Sequence, residues 1–378
     1  MRDRSRRSRL GCRIGALVVS VVLLGSCASA GSNSADRSVV VWDGANWMRD
    51  LAPRLGERPL SELVIPGTHD SGTFSFSLDG LRIAERQNDT QTAQFQGLPD
   101  EFVLGTQVTQ TQTWTEQLDA GIRYFDFRVV CESDGLFIVH TYRGQPVDRA
   151  LSEIAAWMRA HPKEVLFLDV RKNYGCTEMT LSAGGRPQLG NDVLTRMVDD
   201  AFGSSLARRP PSSDASTTLN SLIEAGTNVV PFLIDTGYAM KSDVWWLRAW
   251  NTLPEGAGMT NVWEPIITMP EMFAALRDAG PQFSSRQQSQ LLLASVATSP
   301  MFPRETGIAN WYRDWRNGSQ HGSLREFIVA EVLPTMPQMV ESLAEAGYNV
   351  LSTDFYERGQ WSQGTFAQMV AERNLASS

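Results

Sequence analysis

The chain has little histidine and little cysteine, four residues of each among 378. It has no G-x-G-x-x-G pattern after its first apolar run and no internal repeat, which disfavours a dinucleotide-binding sheet and a repeat architecture. It also has fewer basic than acidic residues, 34 against 42. Such an acidic chain is a poor partner for nucleic acid and is not attracted to anionic membranes by charge alone.

The N-terminal apolar run at residues 14–24 is too short to span a bilayer. Six arginines precede it and Leu-Gly-Ser-Cys ends it, so we predict a lipoprotein-type signal peptide over residues 1–26, with lipidation at Cys27. Ordinary secretion, with cleavage near residues 28–30, is the alternative. Loss of residues 1–26, which hold six arginines and one aspartate, moves the formal net charge from −8 to −13.

The expected product is an exported protein, held at the cell envelope by its lipid or secreted. Residues 27–40 are rich in small and polar residues and are predicted to be a flexible tether, and residues 41–378 form one domain. In an exported protein, Cys131 and Cys176 are expected to form a disulfide. Two buried free thiols are the alternative, and no suitable histidine spacing accompanies them to make a zinc site.

Eight apolar runs of strand type recur after residue 60, and helical patterns lie between many of them. Most runs are continuously apolar, which is typical of strands buried on both faces. This alternation predicts an α/β fold with a parallel sheet, and eight strands fit a single (β/α)8 barrel, with an open doubly wound sheet as the alternative. The predicted strands are residues 63–66, 124–130, 136–140, 164–170, 228–234, 261–264, 291–297 and 349–355.

Two connections between the predicted strands are long. Residues 73–113 are polar and rich in glutamine and threonine, and long loops in compact domains are often functional. Residues 236–260 contain Trp245, Trp246 and Trp250. Because tryptophan favours the membrane interface, we predict that Trp245 and Trp246 contact a lipid surface. The alternative is a helix that packs its tryptophans on the barrel.

Polar side chains stand at the ends of most predicted strands. In a parallel barrel these ends share one rim, where active sites lie. Core packing does not readily explain so many polar ends, because buried charges are costly unless paired; a buried salt-bridge network is the alternative. The candidates are His69, Asp70, Asp126, Arg128, His140, Asp169, Arg171, Lys172, Asn261, Trp263 and Asp354.

Two histidines and an arginine on one rim fit the cleavage of a phosphodiester by an internal hydroxyl group. One histidine takes the proton of the attacking hydroxyl, and the other gives a proton to the leaving oxygen. The arginine stabilises the charge on the phosphoryl oxygens.

Four motifs then stand in a recognisable order: IPGTHDS at residues 65–71, GIRYFDFR at 121–128, FIVH at 137–140 and TDF at 353–355. Together they resemble the X domain of the phosphatidylinositol-specific phospholipase C family, bacterial type. The stretch HPKEVLFLD at 161–169 is similar to the X-domain-only proteins of that family. The resemblance covers residues 60–355 and implies a distorted TIM-like (β/α)8 barrel. It also implies cleavage of phosphatidylinositol-type lipids to diacylglycerol and inositol (cyclic) phosphate.

The resemblance implies a role for each motif residue. His69 would be the general base, oriented by Asp354, and His140 the general acid, assisted by Asp70. Arg128 would hold the phosphate while Asp126 positions its neighbours. The groups expected around the inositol ring are Arg171 or Lys172, Asn261 and Trp263.

An arginine at position 128 stands where the calcium-dependent branch of that family has an acidic ligand, so no metal and no other cofactor is expected. The expected partners are a phosphodiester lipid and a membrane surface reached through the lipid anchor, and the protein is expected to be a monomer. Two other functions stay open. One is a metal-dependent glycerophosphodiester phosphodiesterase, and the other is a non-catalytic surface protein that binds lipids or inositol phosphates.

Overall fold

The computed structural model describes most of the chain from residue 42 onward. Cys27, the predicted signal peptide and the predicted tether lie outside the described residues, and so does Trp263. The described residues are 42–87, 95, 97–177, 180–183, 186–209, 217–250, 259–262, 269–284, 291–296, 312–313, 315–318 and 323–376.

This part of the chain contains twelve strands. Eight of them pair in parallel in the order β1-β2-β5-β8-β9-β10-β11-β12, and β1 closes the barrel because it pairs with both β2 and β12. In chain order the strands are β1 (Ile65–Thr68), β2 (Tyr124–Glu132), β3 (Gly135–His140), β4 (Tyr142–Pro146), β5 (Leu166–Tyr174), β6 (Thr180–Ala183), β7 (Arg186–Leu189), β8 (Val229–Leu233), β9 (Trp246–Trp250), β10 (Met259–Val262), β11 (Leu291–Val296) and β12 (Val350–Thr353).

Helices connect many of the strands and pack on the barrel. One of them is α4, whose apolar positions Leu151, Ile154 and Trp157 are buried at helical spacing. The helices are α1 (Trp47–Leu55), α2 (Asp100–Gln107), α3 (Trp114–Asp119), α4 (Val147–Ala160), α5 (Gly190–Phe202), α6 (Leu219–Ala225), α7 (Thr236–Ala239), α8 (Met269–Ser284), α9 (Leu324–Phe327), α10 (Met336–Glu345) and α11 (Phe366–Ala376). Within these described ranges, no helix has the length and apolar character needed to cross a membrane.

The count of eight barrel strands is right, but one member differs from the prediction. Residues 136–140 belong to β3, which runs antiparallel to β2 and lies outside the closed barrel. The pair Asp134-Gly135 between two apolar runs is a hairpin signal, and Gly135 has a positive φ of 145°. The eighth barrel strand is instead β9, in the tryptophan-rich stretch that was predicted to be a loop.

The predicted lipid contacts of Trp245 and Trp246 do not agree with this arrangement. Trp245 is fully buried, and its indole N–H donates to Oγ1 of Thr195 at 2.9 Å. Trp246 lies in β9, and its N–H donates to the main-chain oxygen of Ala207 at 2.6 Å. Both indoles donate to protein groups, so the predicted lipid contact is wrong. The alternative, a helix packing its tryptophans on the barrel, is right about the packing but wrong about the helix, because Trp246 begins a strand.

The disulfide prediction is confirmed. Cys131 at the end of β2 and Cys176 just after β5 are bonded, with their Cα atoms 5.0 Å apart. Because β2 and β5 are parallel neighbours, the bond joins the carboxyl ends of two strands that carry site residues.

Candidate active site

The carboxyl ends of β1 and β12 bring His69 and Asp354 together. Nδ1 of His69 lies 3.0 Å from Oδ1 of Asp354, and Nε2 lies 2.8 Å from Nη2 of Arg128. A guanidinium group can only donate, so Nε2 accepts and the proton of the neutral ring is on Nδ1, where it is donated to Asp354. The basic nitrogen of His69 is therefore Nε2.

The surroundings of His69 favour its neutral form. Its side chain is buried, and burial lowers the pKa of His69 well below its usual value; the charge of Arg128 lowers that pKa further. At neutral pH the ring is consequently uncharged, which is the state that a general base requires.

Arg128 lies between two carboxylates. Its Nε contacts Oδ1 of Asp70 and lies 3.2 Å from Oδ1 of Asp126, while Nη2 lies 3.1 Å from Oδ2 of Asp126. Burial by itself would raise the pKa of Asp126, but the charges of Arg128 and Arg171 outweigh it and hold that pKa well below its usual range. Asp126 thus stays ionised and fixes the guanidinium beside His69.

His140, at the end of β3, faces the same centre. Its Nδ1 lies 2.8 Å from the main-chain oxygen of Gln107, which can only accept, so Nδ1 carries a proton. Its Nε2 lies 3.4 Å from Oδ2 of Asp70, and Nε2 of His69 is also 3.4 Å from that oxygen. Two imidazoles thus converge on one carboxylate oxygen, beside the guanidinium of Arg128.

The backbone is strained where these side chains are attached. Three non-glycine residues among those described have positive φ: Asp70 at 45°, Thr141 at 63° and Phe355 at 47°. Such conformations cost on the order of 1–3 kcal/mol each and cluster at functional sites. Asp70 is itself a site residue, Thr141 follows His140, and Phe355 follows Asp354.

Arg171 does not agree with its predicted contact to a substrate ring. It is 1% exposed, and its Nη1 donates to Oδ2 of Asp126 at 3.0 Å and to Oγ of Ser295 at 2.7 Å. Arg171 therefore acts on the site through Asp126. Asp169 is also buried in the barrel, where it accepts from the hydroxyl of Tyr124 at 2.6 Å.

The other predicted ring contacts remain predictions. Lys172 is half-buried in β5, next along the chain from Arg171. Asn261 lies in β10, and its side chain is not among those described. Trp263 is outside the described residues.

The strand ends in the sequence do not identify Gln107, Thr109 and Gln110 as residues of the site. They come from the connection after β1. Gln107 contacts the ring of His140, and Thr109 and Gln110 contact the main-chain oxygen of His69. The one sequence signal was the abundance of glutamine and threonine over residues 73–113, which does not distinguish these three from their neighbours.

Comparisons with known proteins point to one group. No protein-family model matches the chain. Over 327 residues it is 28% identical to the human "PI-PLC X domain-containing protein 3", which covers 84% of this chain and 91% of that protein. It is 36% identical to the mouse "PI-PLC X domain-containing protein 1" over 186 residues, 46% of this chain and 49% of that protein. The chain is a relative of the PI-PLC X-domain proteins.

Solved structures show that this PI-PLC X-domain relative shares a fold with bacterial enzymes. The phosphatidylinositol-specific phospholipase C of Staphylococcus aureus matches with a TM-score of 0.58 at 16% identity, over 87% of this chain and 97% of that one. That of Listeria monocytogenes matches with a TM-score of 0.53 at 15% identity, over 88% and 99%. The predicted distorted barrel is confirmed.

The site of this PI-PLC X-domain relative contains one group of side chains that could hold a metal ion among the described residues. His69, Asp70 and Asp126 each offer a ligand atom, and these atoms lie within 4.8 Å of one another. The guanidinium of Arg128 contacts both carboxylates, however, and lies within 2.8 Å of His69. All three side chains thus contact a permanent cation, and a metal ion would have to displace it.

Proposed function

We propose that this protein is a metal-independent phospholipase C that cleaves phosphatidylinositol-type lipids to diacylglycerol and inositol (cyclic) phosphate. The main support is the convergence of two imidazoles on one oxygen of Asp70, with Arg128 beside His69. An acid, a base and a phosphate-binding cation are thereby held in one buried site. The family of the relatives and the fold of the bacterial structures agree with this chemistry.

His69 is the base in the first half of the reaction. Nε2 of His69 takes the proton of the inositol 2-hydroxyl, and that oxygen attacks phosphorus. Asp354 stabilises the imidazolium that forms, since it already accepts from Nδ1. Arg128 donates to Nε2 of His69, so the inositol hydroxyl must replace the guanidinium as the donor to this nitrogen.

His140 is the acid in the second half of the reaction. As the bond between phosphorus and the diacylglycerol oxygen breaks, Nε2 of His140 gives that oxygen its proton. Oδ2 of Asp70 lies 3.4 Å from Nε2 of His140, and the carbonyl of Gln107 keeps Nδ1 in place. Among the described residues none accepts from Nη1 of Arg128, so this nitrogen is suited to a phosphoryl oxygen.

The lipid surface would meet the rim near His140. Leu78 and Ile83 are 52% and 56% exposed, and both are apolar. Ile83 forms a bridge with Tyr142, and the N–H of Ala84 donates to the main-chain oxygen of Thr141 at 2.9 Å. This segment, which we name the apolar rim (residues 78–83), therefore lies beside the end of β3.

The deciding experiment incubates the protein with phosphatidylinositol vesicles, with and without EDTA. Release of inositol cyclic phosphate unaffected by EDTA is expected. His69→Ala and His140→Ala should each lower kcat by about 10²–10⁴-fold, because each removes one proton-transfer group. His161→Ala is a matched control, since His161 stacks on Trp157 before β5, at the opposite end of the barrel, and should leave kcat unchanged.

Other outcomes would contradict the proposal. Activity abolished by EDTA would indicate a metal enzyme such as a glycerophosphodiester phosphodiesterase. Failure to turn over any phosphodiester would indicate a non-catalytic binder.

We also propose export, with anchoring through Cys27. The disulfide supports an oxidising compartment. Replacement of Cys27 by serine should move the protein from the membrane fraction to the medium; an unchanged membrane fraction would contradict a lipid anchor.

A further inference from the structure

The loop after β1 ends in a short segment that contacts every strained position of the site. Residues 107–110, Gln-Val-Thr-Gln, begin at the last residue of α2 and belong to the glutamine- and threonine-rich connection. We name this segment the clasp. The three positive-φ residues Asp70, Thr141 and Phe355 lie at the ends of three different strands. Each of them is hydrogen-bonded to the clasp.

Gln107 holds the end of β3. Its main-chain oxygen accepts from Nδ1 of His140 at 2.8 Å, and its side-chain oxygen accepts from the hydroxyl of Thr141 at 3.0 Å. The acid proposed above and the strained residue after it are thus bonded to the same glutamine.

Thr109 holds the ends of β1 and β12. Its main-chain oxygen accepts from the N–H of Phe355 at 2.9 Å. Its Oγ1 donates one proton, which is shared between the main-chain oxygens of His69 at 3.0 Å and Asp70 at 3.2 Å. The 2.8 Å contact between the hydroxyls of Thr109 and Thr73 must then be donated by Thr73, whose oxygen accepts the N–H groups of Thr109 and Gln110.

Gln110 bridges the two strands that carry the catalytic pair. Its side chain is fully buried. Its amide nitrogen has two protons, and both are donated to carbonyls, that of His69 at 3.0 Å and that of Thr353 at 2.9 Å. Thr353 directly precedes Asp354, so one carboxamide fixes the backbone on both sides of the His69–Asp354 hydrogen bond.

We propose that the clasp is a positioning element for the reaction, with Gln110 and Thr109 as its principal positioning residues. It holds three strained strand ends so that His69, His140 and Asp354 stay in register. The expected loss of kcat rests on the proposed function. The expected disturbance of the hydrogen bond between His69 and Asp354 does not. Small displacements of positioned groups lower the rate of the chemical step more than they weaken binding.

The test replaces the polar groups of the clasp while keeping their volume. Gln110→Leu and, as an isosteric change, Thr109→Val should each lower kcat on the order of 10²-fold with little change in KM. Thr109→Ser retains the hydroxyl and should restore most of kcat. In wild-type protein with 15N-labelled histidine, the Nδ1 proton of His69 should give a hydrogen-bonded NMR signal, assigned by its loss in His69→Ala. That signal should broaden or shift in both clasp variants.

Asn374→Leu is the matched control. Asn374 is another buried carboxamide that bonds the main chain next to β1. It donates to the main-chain oxygen of Val64 at 2.9 Å and accepts from the N–H of Val64 at 2.6 Å. Val64 stands just before β1, at the end opposite the site. Asn374→Leu and Gln110→Leu should both lower Tm, but Asn374→Leu should leave kcat and the His69 signal unchanged.

Several results would overturn the inference. Unchanged kcat and an unchanged His69 signal in folded Thr109→Val would do so, and so would an equal disturbance of that signal by Asn374→Leu. If the wild-type protein turned over no lipid, the proposed function would fail, while the NMR comparison would still decide whether the clasp positions His69.

Discussion

His69 and Asp70 are neighbours in the chain and both contact Arg128, but each also has a partner that the other lacks. His69 bonds Asp354 and Arg128, whereas Asp70 faces His140 and the other side of the same guanidinium. The division is made by the backbone, because the positive φ of Asp70 turns the chain sharply after β1. In the proposed mechanism these adjacent side chains support opposite proton transfers, one as base and one as helper of the acid.

The pH dependence of kcat/KM should follow the lowered pKa of His69. Burial and Arg128 lower the pKa of His69 well below its usual 6.5, so the neutral base persists as the pH falls through 6.5. The acidic limb of kcat/KM should therefore lie below pH 6.5, and activity should be lost only as the pH falls through the lowered pKa. A pH profile of kcat/KM on vesicles measures it. An acidic limb at or above 6.5 would show that the base is another group.

At the scale of elements, the sequence predicts each strand better than it predicts the partner of that strand. The motif residues of β1, β2, β3 and β12 all reach the site, as expected from their strand ends. β3 reaches it from outside the closed barrel, because the Asp134-Gly135 hairpin turns it back on β2. Apolar content cannot reveal this, since β3 and a barrel strand are equally buried on the face toward the core.

β9 was missed for a related reason. Its indoles suggested an interfacial loop, but hydrogen bonds from Trp245 and Trp246 to Thr195 and to the main chain at Ala207 satisfy their polar groups inside the protein. Partners more than thirty residues away decide whether a tryptophan is buried, and composition alone does not identify them. The clasp escaped prediction similarly, because its main-chain bonds depend on where the loop returns.

The apolar rim should contribute to binding of the lipid surface through Leu78 and Ile83. Replacing Leu78 and Ile83 together with serine should weaken binding to phosphatidylinositol vesicles by about tenfold or more, since burial of each half-exposed side chain contributes roughly 1 kcal/mol. Turnover of a soluble, short-chain substrate should change little. Vesicle sedimentation measures the binding. Val329→Ser, at an apolar residue 42% exposed in the stretch after α9, is the control. Equal binding by the rim variant and this control would place the lipid contact elsewhere.

At the scale of the whole molecule, the family motifs divide between the two ends of the barrel. His69, Arg128 and Asp354 lie at the carboxyl ends of the strands. Arg123, from the GIRYFDFR motif, and Glu164, from the HPKEVLFLD motif, meet at the other end. Their ion pair is 2.7 Å long and fully buried. Glu164 also accepts the N–H groups of Met48 and Arg49 at 3.2 and 2.9 Å and so attaches α1 to the barrel.

This pair supports a prediction on stability. Glu164→Gln should lower the free energy of unfolding by about 3–5 kcal/mol, because it leaves the buried guanidinium of Arg123 without its counter-charge. Because the pair lies at the end of the barrel away from the site, kcat of the folded fraction should be unchanged. Denaturant unfolding monitored by tryptophan fluorescence measures the loss. A loss below about 1 kcal/mol would show that hydrogen bonds, rather than the charge, maintain this contact.

The closure of the barrel by β1 has a consequence for how the protein matures. The hydrogen bond between His69 and Asp354 joins residues 285 positions apart, so it forms only when the last strand docks against the first. Contacts of such long separation form late, because loop-closure entropy opposes them. A nascent chain that has already paired β2 with β3 holds His140 and Arg128, the proposed acid and phosphate-binding group, yet His69 has no Asp354 to orient it. Under the proposed mechanism, activity therefore requires completed folding, and a chain truncated before β12 should be inactive.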